Sequence, residues 1–398
     1  MDEVLKSIAP DRVRGMWWGA YLRAARDGFP GRQWEYLLTG RANADEWFSG
    51  IIGSTESSFA GDLTLAPYVQ KLHANHAQLK KGLASYMIRT PLRKDGFALY
   101  YSWPSGCANT LSDEFKAPSE GGRDLIRFCY RQGLEVTFVT PSTLKTLDSQ
   151  KLVFLPGICS LSDAEVAALK AFAKRGGKIY ADAEPGVLDQ YLAKRAEAPL
   201  KGLWTKYERG CDDKTLAAIV ATVGVKQREF VSGLPEEGLV LRVRETSEQK
   251  VVGFTTSAKN CGKQVSLDLG SEGWIYECDA GLVGQGSKVE IAALERPFKL
   301  YAQFKTQQQA PAFELPASVK PGDFVEFSTK PLRKGGVYRL SVKGPDGQHI
   351  LNRDQIVIVD GRAESVSLQF PYSDEGAYSV TLRDIATGLE TTAAVDVK

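Results

Sequence analysis

Carboxylates and tryptophans are interleaved near the start of this 398-residue sequence. Hydrolysis of a glycosidic bond uses one carboxyl group as an acid and a second as a nucleophile or base on the opposite side of the bond. Aromatic rings add flat apolar faces against which a sugar ring can stack. We therefore take Trp34, Glu35, Glu46 and Trp47 as candidate substrate-binding residues. The carboxylates available within the first 65 residues include Glu35, Asp45, Glu46, Glu56 and Asp62.

Two plainer interpretations of these residues stay open. Acidic side chains in loops are commonly solvated and have no chemical role. Clustered tryptophans pack a core more often than they bind a sugar. Because separation along a chain does not give separation in space, the sequence by itself identifies no catalytic pair.

Nucleophilic and metal chemistry have less support. Cys159 follows a predicted strand and precedes a predicted helix, as in a nucleophile elbow, but Gly157-Ile-Cys-Ser-Leu161 lacks the second glycine of that motif. No histidine lies in this α/β stretch to act as a base for the thiol. His73 and His76 can share a helical face, but no nearby cluster completes a metal site. We expect no metal and six separate cysteine thiols.

Composition excludes several classes of protein. Hydrophobic residues make up 43% and charged residues 25%, which is typical of globular and not of disordered chains. The net charge of +2, without a long run of one sign, disfavours nucleic-acid binding. No apolar stretch reaches the roughly 18 residues of a membrane span, and MDEVLKSIAP has no apolar signal-peptide core, so the compartment stays unassigned. The sequence has no glycine-rich nucleotide-binding motif, and we expect no cofactor.

The pattern of elements predicts a multidomain chain, α/β followed by all-β. Residues 1–92 are predicted as a helical and aromatic segment, with a helix over 14–28, a short strand over 33–38 and a second helix ending near Tyr86. The predicted domains cover residues 1–92, 93–235, 236–306 and 311–398.

The last three domains are predicted from changes in the spacing of apolar residues along the chain. From Phe97, strands alternate with helices, which predicts a parallel sheet covered on both faces, and the capping box Ser162-Asp-Ala-Glu165 opens one of those helices. From about residue 236 the apolar period drops to two, which predicts two antiparallel β-sandwiches. The polar linker 306–311 separates them.

The order of these pieces resembles the glycoside hydrolase family 42 β-galactosidases. In that family the (β/α)8 barrel is followed by a trimerisation domain, a flavodoxin-like fold similar to a class I glutamine amidotransferase without its catalytic residues. Residues 14–90 are similar to the end of the barrel, with 28–36 at its final strand, and the β-sandwiches look like accessory domains, the last one Ig-like. The segments that resemble the trimerisation domain are 97–104, 151–157, 161–172 and 175–180.

The resemblance implies the C-terminal, non-catalytic portion of an enzyme that acts on carbohydrate. The glutamates of the family lie on the fourth and seventh barrel strands, which precede Met1 in this alignment, so no catalytic residue is carried over. Because about 90 residues cannot close a barrel that typically takes about 250, we expect this segment to join a missing barrel partner or to pack on the α/β domain. A homotrimer is expected if the family assembly persists.

Two other functions stay open at this point. One is a self-contained enzyme that uses the carboxylates of residues 35–62. The other is a stand-alone carbohydrate-binding or assembly protein without hydrolase activity.

Overall fold

A computed structural model describes most of the chain as two compact units. Unit 1 consists of Met1–Arg14 and Arg93–Phe230, and unit 2 of Gly15–Leu92 and Val231–Lys398. None of the helices in the described part is long and apolar enough to cross a bilayer. The described residues are 2–9, 15–19, 33–40, 43–47, 59–115, 121–225, 229–329, 332–360, 365–372 and 375–398.

The first 92 residues form short helices and one pair of strands. The strands β1 and β2 pair in parallel, with the helix α2 between them in sequence. A π-helical turn over Leu79–Leu83 joins α3 to α4, so the helix predicted to end near Tyr86 is present with a kink. The elements are α1 (Asp2–Ile8), β1 (Gly15–Gly19), α2 (residues 33–38), β2 (Asn43–Trp47), α3 (Pro67–Gln78) and α4 (Ala84–Arg89).

Two predicted elements of this segment are wrong. The helix expected over 14–28 is a strand where it is described, at Gly15–Gly19, because glycines bracket an aromatic pair that favours extended backbone. The rest of that predicted helix lies outside the described residues. The strand expected over 33–38 is helical, because Trp34, Leu37 and Leu38 follow the i, i+3, i+4 spacing and all reach the same core.

Unit 1 contains a five-stranded parallel sheet of order β4-β3-β5-β6-β7. Leu99 and Phe154 face a core with α6 and α8, whereas Tyr100 and Leu155 face a second core with α7. The sheet is therefore covered on both faces, as predicted. Its elements are β3 (Phe97–Tyr100), α5 (Trp103–Leu111), α6 (Gly121–Arg131), β4 (Thr137–Val139), β5 (Leu152–Leu155), α7 (Asp163–Lys174), β6 (Lys178–Ala181), β7 (Thr205–Lys206) and α8 (Asp213–Ala221).

Local sequence signals explain much of unit 1. The Ser162 hydroxyl accepts from the Glu165 backbone N–H, and the Glu165 carboxylate accepts in return from the Ser162 N–H, so the predicted capping box opens α7. At the sheet edge, the Phe138 N–H of β4 donates to Ser7 Oγ of α1 at 2.8 Å. Because an edge strand with unpaired backbone groups tends to pair with other chains, α1 protects this edge.

The two large sheets of unit 2 are mainly antiparallel. A six-stranded sheet has the order β12-β11-β13-β10-β9, with β8 beside β11. Leu241 and Phe254 belong to the core on one face of this sheet, and Val251 and Leu300 to the core on the other. The strands are β8 (Phe230–Ser232), β9 (Val240–Glu245), β10 (Gln249–Thr255), β11 (Val265–Glu277), β12 (Gly281–Ile291) and β13 (Phe298–Phe304).

The last module of unit 2 has two sheets around one core. A five-stranded sheet of order β14-β20-β19-β16-β17 lies across a hydrophobic cluster from the β15-β18 pair. Leu340 and Leu382 from the larger sheet meet Phe327 and Leu368 from the pair in this cluster. The strands are β14 (Ser318–Val319), β15 (Phe324–Ser328), β16 (Val337–Lys343), β17 (Gln355–Ile358), β18 (Ser365–Gln369), β19 (Gly376–Asp384) and β20 (Glu390–Val397).

The helices α2 and α4, together with the π-helical turn before α4, form a layer on the six-stranded sheet. Leu38 of α2, Leu83 of the turn and Met87 of α4 share a buried cluster with sheet residues such as Leu300 and Phe304. The layer thus packs within unit 2, on a sheet that is neither of the two partners expected from the sequence, a missing barrel partner and the α/β domain.

Candidate functional site

The structure places the four candidate substrate-binding residues in and after α2. Trp34 is 2% exposed, and its indole stacks on the Phe298 ring with 3.9 Å between centroids and 16° between planes. Glu35 is half-buried beside it. The backbones of Glu46 and Trp47 lie in β2, opposite Trp18 and Gly19 of β1.

This arrangement leaves the substrate-binding role a prediction. The indole of Trp34 offers no open face in this structure, because the cluster of unit 2 encloses it. The side chains of Glu46 and Trp47 lie outside the described part of the chain, so their separation from Glu35 is not defined.

Arg244 of β9 fixes the C-terminal end of α2, and sequence reasoning missed it. Its guanidinium donates to the carbonyl oxygens of Leu37 at 3.2 Å and Leu38 at 3.4 Å, and to that of Thr90 after α4 at 2.6 Å. Helix C-terminal carbonyls lack intrahelical donors and carry partial negative charge, so a buried cation satisfies both needs. The one sign of this role in the sequence is that arginines occupy alternate positions of a predicted strand, Arg242 and Arg244. Both are buried in the structure.

The carboxyl end of the parallel sheet in unit 1 is the second place to look for chemistry, because ligands of such sheets bind there. Cys159 follows β5, is half-buried, and donates weakly to Asn109 Oδ1 at 3.7 Å. Burial raises the pKa of the Cys159 thiol, which opposes the thiolate form that a nucleophile needs. No imidazole serves as its base, since the three histidines are His73, His76 and His349, all outside residues 93–230.

The other polar groups at this edge bind one another. The Ser102 and Ser105 hydroxyls both donate to the Ser160 carbonyl oxygen, at 3.1 and 3.0 Å. The Asp182 carboxylate accepts from the Gly157 N–H at 2.9 Å and forms an ion pair with Arg209. These groups therefore stabilise the loops that follow β3, β5 and β6.

The histidine pair of α3 does not resemble a metal site. His76 Nε2 is hydrogen-bonded to the side-chain amide of Gln33, and burial lowers the pKa of this imidazole. Within the described ranges, no group of three or more His, Cys, Asp or Glu side chains is placed to hold a metal ion. All six cysteines are free thiols, as predicted.

This chain resembles known proteins in its structure. No protein-family model and no curated protein match the sequence. A catalytic mutant of Gan42B, a GH42 β-galactosidase from G. stearothermophilus, has a TM-score of 0.60 at 10% identity, covering 76% of this chain and 55% of that one. The β-galactosidase of Bacillus circulans sp. alkalophilus has a TM-score of 0.56 at 11% identity, covering 69% and 52%. The structural neighbours of the present chain are thus GH42 β-galactosidases.

The likeness extends to a GH42 exo-carrageenase and concerns the fold. The apo exo-carrageenase from Bacteroides ovatus has a TM-score of 0.51 at 15% identity, covering 76% of this chain and 43% of that one. At such identities the shared property is the fold. The chain spans about half the length of these three structures, which is consistent with the portion expected from the sequence.

Proposed function

We propose that this chain is the C-terminal, non-catalytic portion of a β-galactosidase-like glycoside hydrolase, with the catalytic glutamates outside it. The single observation that carries the proposal is that the chain shares the fold of GH42 β-galactosidases over about half of their length. The failed nucleophile elbow at Cys159 also favours a supporting role for unit 1. Carbohydrate is the substrate class of the whole enzyme in this proposal.

The finer domain assignments belong to the same proposal. We assign residues 93–235 to a trimerisation-like domain with a flavodoxin-like, amidotransferase-like fold. Its strand order, with the second strand outermost and the first beside the third, is the 2-1-3-4-5 order of flavodoxin-like folds. Residues 236–306 and 311–398 are assigned to accessory β-sandwiches, the last Ig-like, which the two-sheet core of that module supports. Residues 1–92 would then complete a barrel supplied elsewhere.

Hydrolysis by the purified chain is the direct test. With 4-nitrophenyl β-D-galactopyranoside we expect no turnover above the enzyme-free blank, while an intact GH42 β-galactosidase hydrolyses it in the same buffer. Turnover that persists through repeated purification would contradict the proposal. Loss of that turnover in Glu35→Gln or Glu46→Gln, but not in the exposed control Glu314→Gln, would instead support the self-contained enzyme.

Assembly is tested separately. Light scattering of the purified chain is expected to give three times the 43.6 kDa of one chain if the trimerisation-like domain acts alone. A monomer at all concentrations would remove the trimer and the assembly role from the proposal.

A further inference from the structure

A groove of about 1060 Å³ crosses the surface of the last β module of unit 2. The loop between β16 and β17 forms one wall, and Pro371, Glu375 and Tyr378 contribute to the other. Both walls lie within residues 311–398, so the groove belongs to one module. It is separate from the residues that the sequence nominated for substrate binding.

The walls of the groove are held by backbone hydrogen bonds. The Gly344 N–H donates to the Gln348 carbonyl oxygen at 2.9 Å, and the Ile350 N–H to the Val342 carbonyl oxygen at 2.9 Å. On the opposite wall, Tyr378 is buried and meets Phe370 edge to face at 5.4 Å. A ligand that contacts the β16–β17 loop therefore orders little of that loop, which lowers the entropic cost of binding.

Hydrogen-bonding groups on the rim are left for a ligand. The side chains of Gln348, Asn352, Arg353 and Glu375 make no hydrogen bond or ion pair to any other residue that the structure describes. His349 Nε2 is hydrogen-bonded to Asp354 at 2.7 Å, so Nδ1 is the ring nitrogen left for a ligand. In contrast, the polar groups at the carboxyl end of the parallel sheet bind one another.

The chemistry of the rim favours a neutral ligand with many hydroxyl groups. Among the residues that line the groove, the carboxylates of Asp346 and Glu375 outnumber the single guanidinium of Arg353, so an anionic ligand would meet net repulsion. Carboxylates accept from hydroxyl groups, and amide and guanidinium groups donate to them.

We propose that this groove is a binding site for a neutral oligosaccharide. The sugar class, a β-galactoside, rests on the function proposed above. In that enzyme the groove would hold a part of a polysaccharide chain away from the catalytic barrel. The site itself follows from the free rim groups, the hydrogen-bonded β16–β17 loop and the charge.

Calorimetric titration of the full chain with β-1,4-linked galactotetraose tests the site. We expect saturable binding that Glu375→Gln and Asn352→Ala each weaken roughly tenfold, as expected for a lost hydrogen bond to a ligand in a partly desolvated site. Both side chains are exposed, so neither change should disturb folding. Glu245→Gln, an exposed position on β9 of the other sheet, is the matched control and should bind as the original chain does.

Three results would overturn the inference. One is no binding of the tetraose by the unmodified chain, and another is equal binding by all four proteins. Saturable binding of calcium chloride alone, abolished by Glu375→Gln, would replace the saccharide site by a cation site and equally overturn it. Since none of these titrations involves hydrolysis, their failure leaves the proposed function standing, and turnover by the chain would contradict the proposed function without touching the groove.

Discussion

Arg244 shows how a single buried cation can position a whole segment. Its side chain reaches carbonyl oxygens at the ends of two helices, α2 and α4, and the residue is 3% exposed. A lysine supplies one compact ammonium and cannot replace the planar fork of donors that serves all three oxygens. The candidate segment around Trp34 and Glu35 therefore depends on a residue about 200 positions away in sequence.

Replacing this arginine should destabilise unit 2. Arg244→Met keeps the apolar stem but leaves three buried carbonyl oxygens without this donor, so we expect a loss of about 3 kcal/mol of unfolding free energy. Arg244→Lys should recover part of the loss. Arg89→Met, the same change at an exposed position of α4, is the control and should stay within about 0.5 kcal/mol. Urea unfolding followed by circular dichroism measures the stability of all three variants. Equal stability of the Arg244 and Arg89 variants would show that donation from Arg244 to the three carbonyl oxygens does not stabilise unit 2.

At the scale of elements, the sequence predicted best where local and tertiary signals agree. The strands at Phe97–Tyr100, Leu152–Leu155 and Lys178–Ala181 and the helix Asp163–Lys174 were all predictable from apolar runs, glycine-containing turns and a capping box. The helix over 33–38 could not be predicted in this way, because a segment of six residues with two aromatic side chains fits both the helical and the strand periodicity. Its burial depends on the sheet that it packs against, which is distant in sequence and which local sequence does not show.

Gly82 illustrates a tight contact between elements that the sequence gives no sign of. It lies in the turn between α3 and α4 at φ 118°, where an added Cβ would stand 2.7 Å from Ile385 Cγ1. Gly82→Ala should therefore lower the unfolding free energy by about 2 kcal/mol or more, through overpacking and backbone strain. Gly106→Ala, inside α5 and with no atom within 4 Å of the new Cβ, should be neutral or stabilising by about 0.5 kcal/mol.

A second substitution separates the two causes at Gly82. If the clash dominates, Gly82→Ala should cost much less in an Ile385→Ala background, where the space is open. If the positive φ dominates, the cost should be the same in both backgrounds. Thermal unfolding of the four proteins closes this double-mutant cycle, and a harmless Gly82→Ala in the unmodified chain would contradict both causes.

At the scale of the whole molecule, the packing of the helical layer was the main feature beyond reach of sequence analysis. One signal was present: β13, Phe298–Phe304, is buried along its entire length, as a strand covered on both faces must be. That pattern shows that something covers the second face without saying what. The identity of the covering layer depends on contacts between residues 34–87 and 251–304, which no local pattern encodes.

Burial of tyrosines across both units predicts how the molecule responds to alkali. Burial is the largest cause that raises the pKa of Tyr86, Tyr100, Tyr207 and Tyr301, and it raises the pKa of Tyr338 to about 12. A phenol in the unfolded chain ionises near pH 10. The folded state therefore keeps protons that the unfolded state releases, so this contribution to stability is complete below pH 10 and is lost as the pH rises towards 12.

Denaturant unfolding at a series of pH values from 8 to 12 should show this loss beginning near pH 10. Tyr338→Phe removes one such group, so its unfolding free energy should fall less steeply with pH than that of the unmodified chain. Absorbance at 295 nm should show part of the 15 tyrosines ionising only when the circular dichroism of the fold is lost. If all of them ionised together near pH 10 while the dichroism stayed native, the buried phenols would not be the groups that link stability to pH.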